Sequence, residues 1–127
     1  MIKNWDFKDM EMDFSSMYDY NNHPSDIDLF YMGKDEQGDD VLILGEIKQT
    51  NGLFRDGQRR LLEQFARKWQ GTSFILYIRH NKDYKKGDRA VDVGNCRVEE
   101  YYYSKAHRWV QPKCYLTVRD VIDTYRK

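Results

Sequence analysis

The chain has 127 residues at 15.4 kDa, a length that suits one domain and cannot host two independent cores. Hydrophobic residues make up 40% and charged residues 33%, with two prolines and eight glycines, a balance that argues against disordered, collagenous and low-complexity classes. No stretch approaches the roughly 20 apolar residues of a membrane span. The opening MIKNWDFKDM lacks the basic-then-apolar pattern of a secretory leader, and Cys96 and Cys114 make no disulfide framework. A soluble, reduced, cytoplasmic protein is the expectation. The zero net charge conceals an asymmetry. Residues 1–40 carry 11 acids against 3 bases, and residues 41–127 carry 10 acids against 18 bases.

Residues 6–18 set Phe7, Met10, Phe14, Met17 and Tyr18 at helix-like spacing with acids between them, although a short strand around Met12 to Phe14 also fits. The cluster Asn21-Asn22-His23-Pro24-Ser25 reads as a turn. Two strands follow. Residues 26–32 set Ile27, Leu29 and Tyr31 on one face, and residues 41–48, VLILGEIK, read as a strand buried on most of both sides. The connector GKDEQGDD makes them a hairpin. A helix over residues 56–69 carries the stripe Leu61, Leu62, Phe65 and Trp69, with Gly71 as its stop. Residues 73–78, SFILYI, form another buried strand, and residues 79–89, RHNKDYKKGDR, a loop with five bases. Residues 97–103 suit an aromatic strand. Thr117 caps a closing helix, with Asp120 in the capping-box position and Val118, Val121, Ile122 and Tyr125 as its stripe. Strands and helices mixed in this order predict an α/β fold, a central mixed β-sheet flanked by helices, with residues 1–127 as a single domain.

Side chains alternate along a strand, so Glu46 and Lys48 share a face while Ile47 points away. An acid and an amine ending an apolar strand are costly unless paired, exposed or bound to metal. Asp26 and Asp28 share the face opposite Ile27 and Leu29, so a hairpin lets the carboxylates of Asp28 and Glu46 converge. Hard oxygen ligands on rigid strands suit Mg²⁺. Gln58 continues the inward stripe of the following helix by one polar position, and a polar group there needs a partner. The competing reading of Gln58 is a solvated residue at a helix start.

The run IDLFY, a hairpin, then LGEIK 18 residues on from Asp28 to Glu46, then a helix opened by Gly57-Gln58, resembles the PD-(D/E)XK nuclease superfamily. The resemblance is to its small Holliday-junction-resolvase and RecB-like branch, and covers residues 24–69. It implies a restriction-endonuclease-like core and an Mg²⁺-dependent DNA endonuclease, with Mn²⁺ as a substitute. Asp28, Glu46, Lys48 and Gln58 would be catalytic. Asp28, Glu46 and the carbonyl of Ile47 would hold the metal. Asp28 matches the branch better, and Asp26 is the other candidate for the family acid. Glu11 or Asp13 would supply the acid that many members carry on their first helix. The strand that usually precedes the first acid is not evident. Family members of this size usually act as homodimers, and branched or structured DNA is the implied substrate.

Arg79, Lys82, Lys85, Lys86 and Arg89 in the basic loop are candidates for phosphate contact, with Tyr84 to stack on a base. Arg59, Arg60, Arg67 and Lys68 on the helix read as solvated surface. His23, His80 and His107 with the two cysteines have no zinc-ligand spacing, and Tyr101 to Tyr103 with Trp109 suit packing on the sheet. The competing functional class is a catalytically silent nuclease-like fold, from a phage or mobile element, acting as a nucleic-acid-binding or regulatory module. The neutral net charge favours it and the full set of Asp28, Glu46, Lys48 and Gln58 opposes it.

Overall fold

A computed structural model describes residues 27–126 of the chain. The expected N-terminal helix, Asp26, His23 and the acids Glu11 and Asp13 lie outside the described residues.

The fold is α/β. Among the described residues five strands form one mixed sheet in sequential order: β1 (Leu29–Lys34), β2 (Asp40–Gln49), β3 (Thr72–His80), β4 (Arg97–Tyr103) and β5 (Arg108–Val110). The β1–β2 hairpin is antiparallel, β2 and β3 run parallel, and the remaining pairs are antiparallel. The parallel pair requires a crossover, which the helix α1 (Asp56–Lys68) supplies. A second helix, α2 (Val118–Thr124), closes the described chain.

Local chemistry explains each element. The hairpin turn is held by the Asp35 carboxylate, which accepts from the backbone N–H of Gln37 and Asp39, and Gly38 takes φ +84°. Strand β2 is buried from Val41 to Glu46, as an apolar run at the centre of a sheet should be. Its alternating side chains feed two cores. Val41 and Ile43 join Leu76, Ile78, Val98 and Val118 beneath α2. Leu42 and Leu44 join Ile75, Tyr77, Tyr102, Leu62 and Ala66 beneath α1. The two helices therefore cover opposite faces. Helix α2 starts with a capping box in which Thr117 accepts from the Asp120 N–H and Asp120 accepts from the Thr117 N–H.

Several boundaries differ from the sequence reading. The first strand begins at Leu29 rather than residue 26. Strand β3 runs on to His80, so Arg79 lies in the sheet and the basic loop is shorter. Strand β5 was not anticipated; three residues carry too little periodicity to read.

The stripe of α1 also differs. Leu62 and Ala66 are its buried residues, whereas Leu61 and Phe65 are 42% and 49% exposed. The small Ala66 lets the helix approach β3 closely, and Ser73 Oγ donates to the Ala66 carbonyl at 2.9 Å. One flank of α1 is tied to the far strands: Arg67 bonds the Tyr102 hydroxyl at 3.2 Å, Arg59 reaches Glu100 at 3.5 Å and Glu63 accepts from the Trp109 indole. These polar links rotate the helix away from the expected stripe. Gly71 serves a close approach rather than a left-handed cap, since a Cβ there would lie 3.0 Å from the Asp40 carbonyl.

Candidate active site at the end of β1 and β2

The register of the hairpin sets Leu29 opposite Gly45. One step further, Asp28 stands opposite Glu46, just before β1 begins. The Asp28 carboxylate accepts the backbone N–H of Ile47 at 2.9 Å, which fixes it against the neighbouring strand. On the other side of β2, Glu46 is in register with Tyr77 of β3. Tyr77 is buried and stacks on Phe54, with ring centroids 3.9 Å apart. Carboxylate, tyrosine and Asp28 thus span three adjacent strands on the α1 face.

Glu46 is 4% exposed. Its Oε1 lies 3.3 Å from Lys48 Nζ, two residues along the same face. Its Oε2 is buried without a hydrogen-bond partner among the described residues. Burial raises the Glu46 pKa above the ordinary carboxyl range, and the neighbouring Asp28 raises it further. Lys48 and the Gln58 amide, in the first turn of α1, act the other way and favour the charged form. Asp28, the Glu46–Lys48 pair of β2 and Gln58 of α1, from three separate segments of the chain, therefore meet at one end of the sheet. The Ile47 side chain packs in the opposite core.

A divalent cation fits this donor set. The buried Oε2 of Glu46 has no hydrogen-bond partner among the described residues, and a second carboxylate, Asp28, stands across the hairpin. Mg²⁺ commonly binds through one or two carboxylates and completes its shell with water and phosphate oxygens. Among the described residues no group of three or more His, Cys, Asp or Glu side chains stands ready to hold a metal, so the site offers a pair of acids.

The candidate phosphate contacts divide. Lys82, Lys85 and Lys86 are exposed beyond β3. Arg89 is exposed and donates to the Asp88 carbonyl at 3.1 Å. Tyr84 lies in a short 3₁₀ turn, Tyr84–Lys86. Arg79 is different. It donates to the carbonyls of Gln49 and Gly52, pairs with Glu99 at 3.2 Å and lies over the Phe54 ring at 4.5 Å. Its guanidinium ties the loop after β2 to the sheet.

Tyr77 and Phe54 are the site neighbours that sequence reasoning missed. The apolar run SFILYI marked Tyr77 as buried, but its place beside Glu46 depends on the parallel register of β2 and β3. A shallow depression lined by Asp39, Trp69, Gly71 and Lys105 lies at the other end of β2 and shares no residue with the acid pair.

Comparison of the chain with protein-family models, curated proteins and solved structures finds no match. No helix among the described residues is long and apolar enough to cross a membrane.

Proposed function

We propose that this chain is a metal-dependent deoxyribonuclease with a restriction-endonuclease-like core, hydrolysing phosphodiester bonds in DNA. The observation that carries the reading is the buried Glu46 carboxylate: one oxygen has no partner, Asp28 faces it, and Lys48 stands 3.3 Å from the other oxygen. A fold gains little from burying a carboxylate beside a second acid with one of its oxygens unpartnered. A cation site gains a rigid, pre-aimed ligand pair.

Asp28 and Glu46, with the Ile47 carbonyl, would hold Mg²⁺ or Mn²⁺, which supplies charge neutralisation at the phosphate and activates water for attack. Lys48 presents an ammonium beside this pair. Its charge stabilises the negative charge that builds on the phosphoryl oxygens, and its N–H groups orient the attacking water. Gln58 offers an amide to orient the same water or the Glu46 carboxylate. Tyr77, backed by the stacked Phe54 ring, walls one side of Glu46. In the reaction, the water oxygen bonds to phosphorus, the ester P–O bond breaks, and the leaving alkoxide takes up a proton. Lys82, Lys85, Lys86 and Arg89 contribute phosphate contacts away from the centre. A homodimer and branched or structured DNA are the corresponding partner and substrate.

The test is a cleavage panel of linear, nicked, flapped and four-way DNA with Mg²⁺ or Mn²⁺, alongside calorimetric titration of the metal. Glu46→Gln and Lys48→Ala should each lower the cleavage rate by roughly 10²-fold or more while retaining the fold. Metal-dependent cleavage that survives in both variants refutes the assignment. DNA binding with no metal uptake and no cleavage marks the chain as a silent binding module instead.

A further inference from the structure

The segment between β2 and α1, residues 50–55, carries a large apolar side chain into solvent close to the Glu46–Lys48 pair. Leu53 is 80% exposed, the highest value among the described large apolar residues. Both of its neighbours are fastened down. The Gly52 carbonyl accepts from the Arg79 guanidinium, which also holds the Gln49 carbonyl and pairs with Glu99. The Gly52 N–H donates to the Gln49 carbonyl at 2.8 Å, and a Cβ on Gly52 would lie 3.1 Å from the Lys48 Cβ. On the other side, Phe54 stacks on Tyr77, which is in register with Glu46. Leu53 therefore projects from a braced tip, with Lys48 behind one neighbour and Tyr77 behind the other. Consecutive Cα atoms lie about 3.8 Å apart and nucleotides of one strand about 3.4 Å apart, so the tip is a few nucleotides from the acid pair.

The surroundings of the tip are basic. Gln49 donates to the Lys82 carbonyl and Thr50 to the His80 carbonyl, each at 3.1 Å, so the turn beyond β3 lies alongside. Lys82, Lys85 and Lys86 of that turn, and Arg55 beside Leu53, are exposed. The acids of the turn are engaged by its own backbone: Asp83 accepts the Lys85 N–H at 2.9 Å and Asp88 the Asp83 N–H at 2.7 Å. A leucine ringed by cations suits a ligand with anionic rails and flat apolar faces between them, which is DNA with a base exposed. An intact duplex hides its base faces, and opening a stacked step is costly. A flap or branch has already lost one stacking neighbour, and apolar side chains are the usual wedges at such steps. We propose that Leu53 packs on the face of a base left unstacked at a branch in DNA, and so sets that branch beside the Glu46–Lys48 pair. The proposal rests on the nuclease reading above and gives it a source of selectivity. Lysine and arginine hold phosphates of any DNA, whereas the leucine distinguishes an open base face from a stacked one.

Two measurements on the full chain test the proposal, each as a ratio of branched to continuous DNA. Fluorescence anisotropy in Ca²⁺ gives the affinity ratio, and cleavage in Mg²⁺ gives the rate ratio. The wild type should favour branched DNA by about tenfold or more, the scale of burying one leucine side chain. Leu53→Ser should bring both ratios near one, and Leu53→Met should retain them. Urea unfolding controls for the fold, which a side chain this exposed should leave intact. Ratios near one in the wild type, or unchanged in Leu53→Ser, overturn the wedge and leave the nuclease reading in place. Absence of cleavage on every DNA overturns the nuclease reading, and the affinity ratio in Ca²⁺ then judges the wedge by itself. A halving of mass in Leu53→Ser by light scattering, with the affinity ratio unchanged, marks Leu53 as a contact between copies and also overturns the wedge.

Discussion

Glu46 gathers the opposing forces of this molecule on one side chain. Burial and Asp28 favour its protonated form, while Lys48 and Gln58 favour the carboxylate, and the balance lies toward the proton. The consequence for stability has a definite sign. Well below the ordinary value of 4.5 both folded and unfolded chains hold this proton. As pH rises, the unfolded chain releases it first, so stability falls from the ordinary value up through the raised one. Metal-free protein should therefore lose stability over that interval, and Glu46→Gln should lack this loss. Urea denaturation in chelator at a series of pH values measures the difference between the two proteins. Mg²⁺ should raise the melting temperature of the wild type and leave Glu46→Gln unmoved, since only the former offers the buried anionic ligand. A Gln variant clearly less stable than wild type at neutral pH in chelator would show that the Lys48 pair outweighs the burial cost.

Strand β3 and the segment after it separate two kinds of basic residue. Arg79, inside β3, holds the carbonyls of Gln49 and Gly52 and the Glu99 carboxylate. Lys85 and Lys86 are exposed in the following turn. Arg79→Ala should cost about 1–3 kcal/mol of folding stability, the scale of losing hydrogen bonds to a charged group. Lys85→Ala and Lys86→Ala should leave stability nearly unchanged and weaken DNA binding equally across sequences. Each substitution removes one phosphate partner and should lower the log–log salt slope of binding by about one unit. Fluorescence anisotropy over a salt series with paired denaturation curves tests both halves. Sequence reading grouped these residues because it placed the strand end at residue 78. Basic side chains look alike in sequence whether they serve phosphate or backbone carbonyls. Helix α2 shows the opposite case, for its capping box joins residues three apart and was readable directly.

At the scale of the molecule, the described sheet is closed on its α2 face by a contact between distant parts of the chain. The Lys34 N–H donates to the Tyr125 carbonyl at 2.8 Å, tying the end of α2 to β1. Gly33 makes this possible, because a Cβ at that position would collide with the Tyr125 backbone oxygen. Gly33→Ala should destabilise the protein by about 1–3 kcal/mol, the usual cost of overpacking. Urea unfolding should show a lower midpoint with an unchanged slope. The same strand, at the edge of the sheet among the described residues, presents the exposed Phe30 and Met32 on its other face.

The amino-acid pattern alone determined the hairpin, the buried β2, the presence of a crossover helix and the cap of α2. Each is set by residues within a few positions of one another, through alternation, turn chemistry or capping. It also determined that Glu46 and Lys48 share a face. Tertiary structure decided which flank of α1 is buried, how Arg79 is employed, and that Tyr77 rather than solvent borders Glu46. Those outcomes depend on partners some 20 to 46 residues away, such as Glu99 for Arg79 and Trp109 for Glu63. Packing and polar pairing between distant segments select one arrangement among several that the local pattern allows equally.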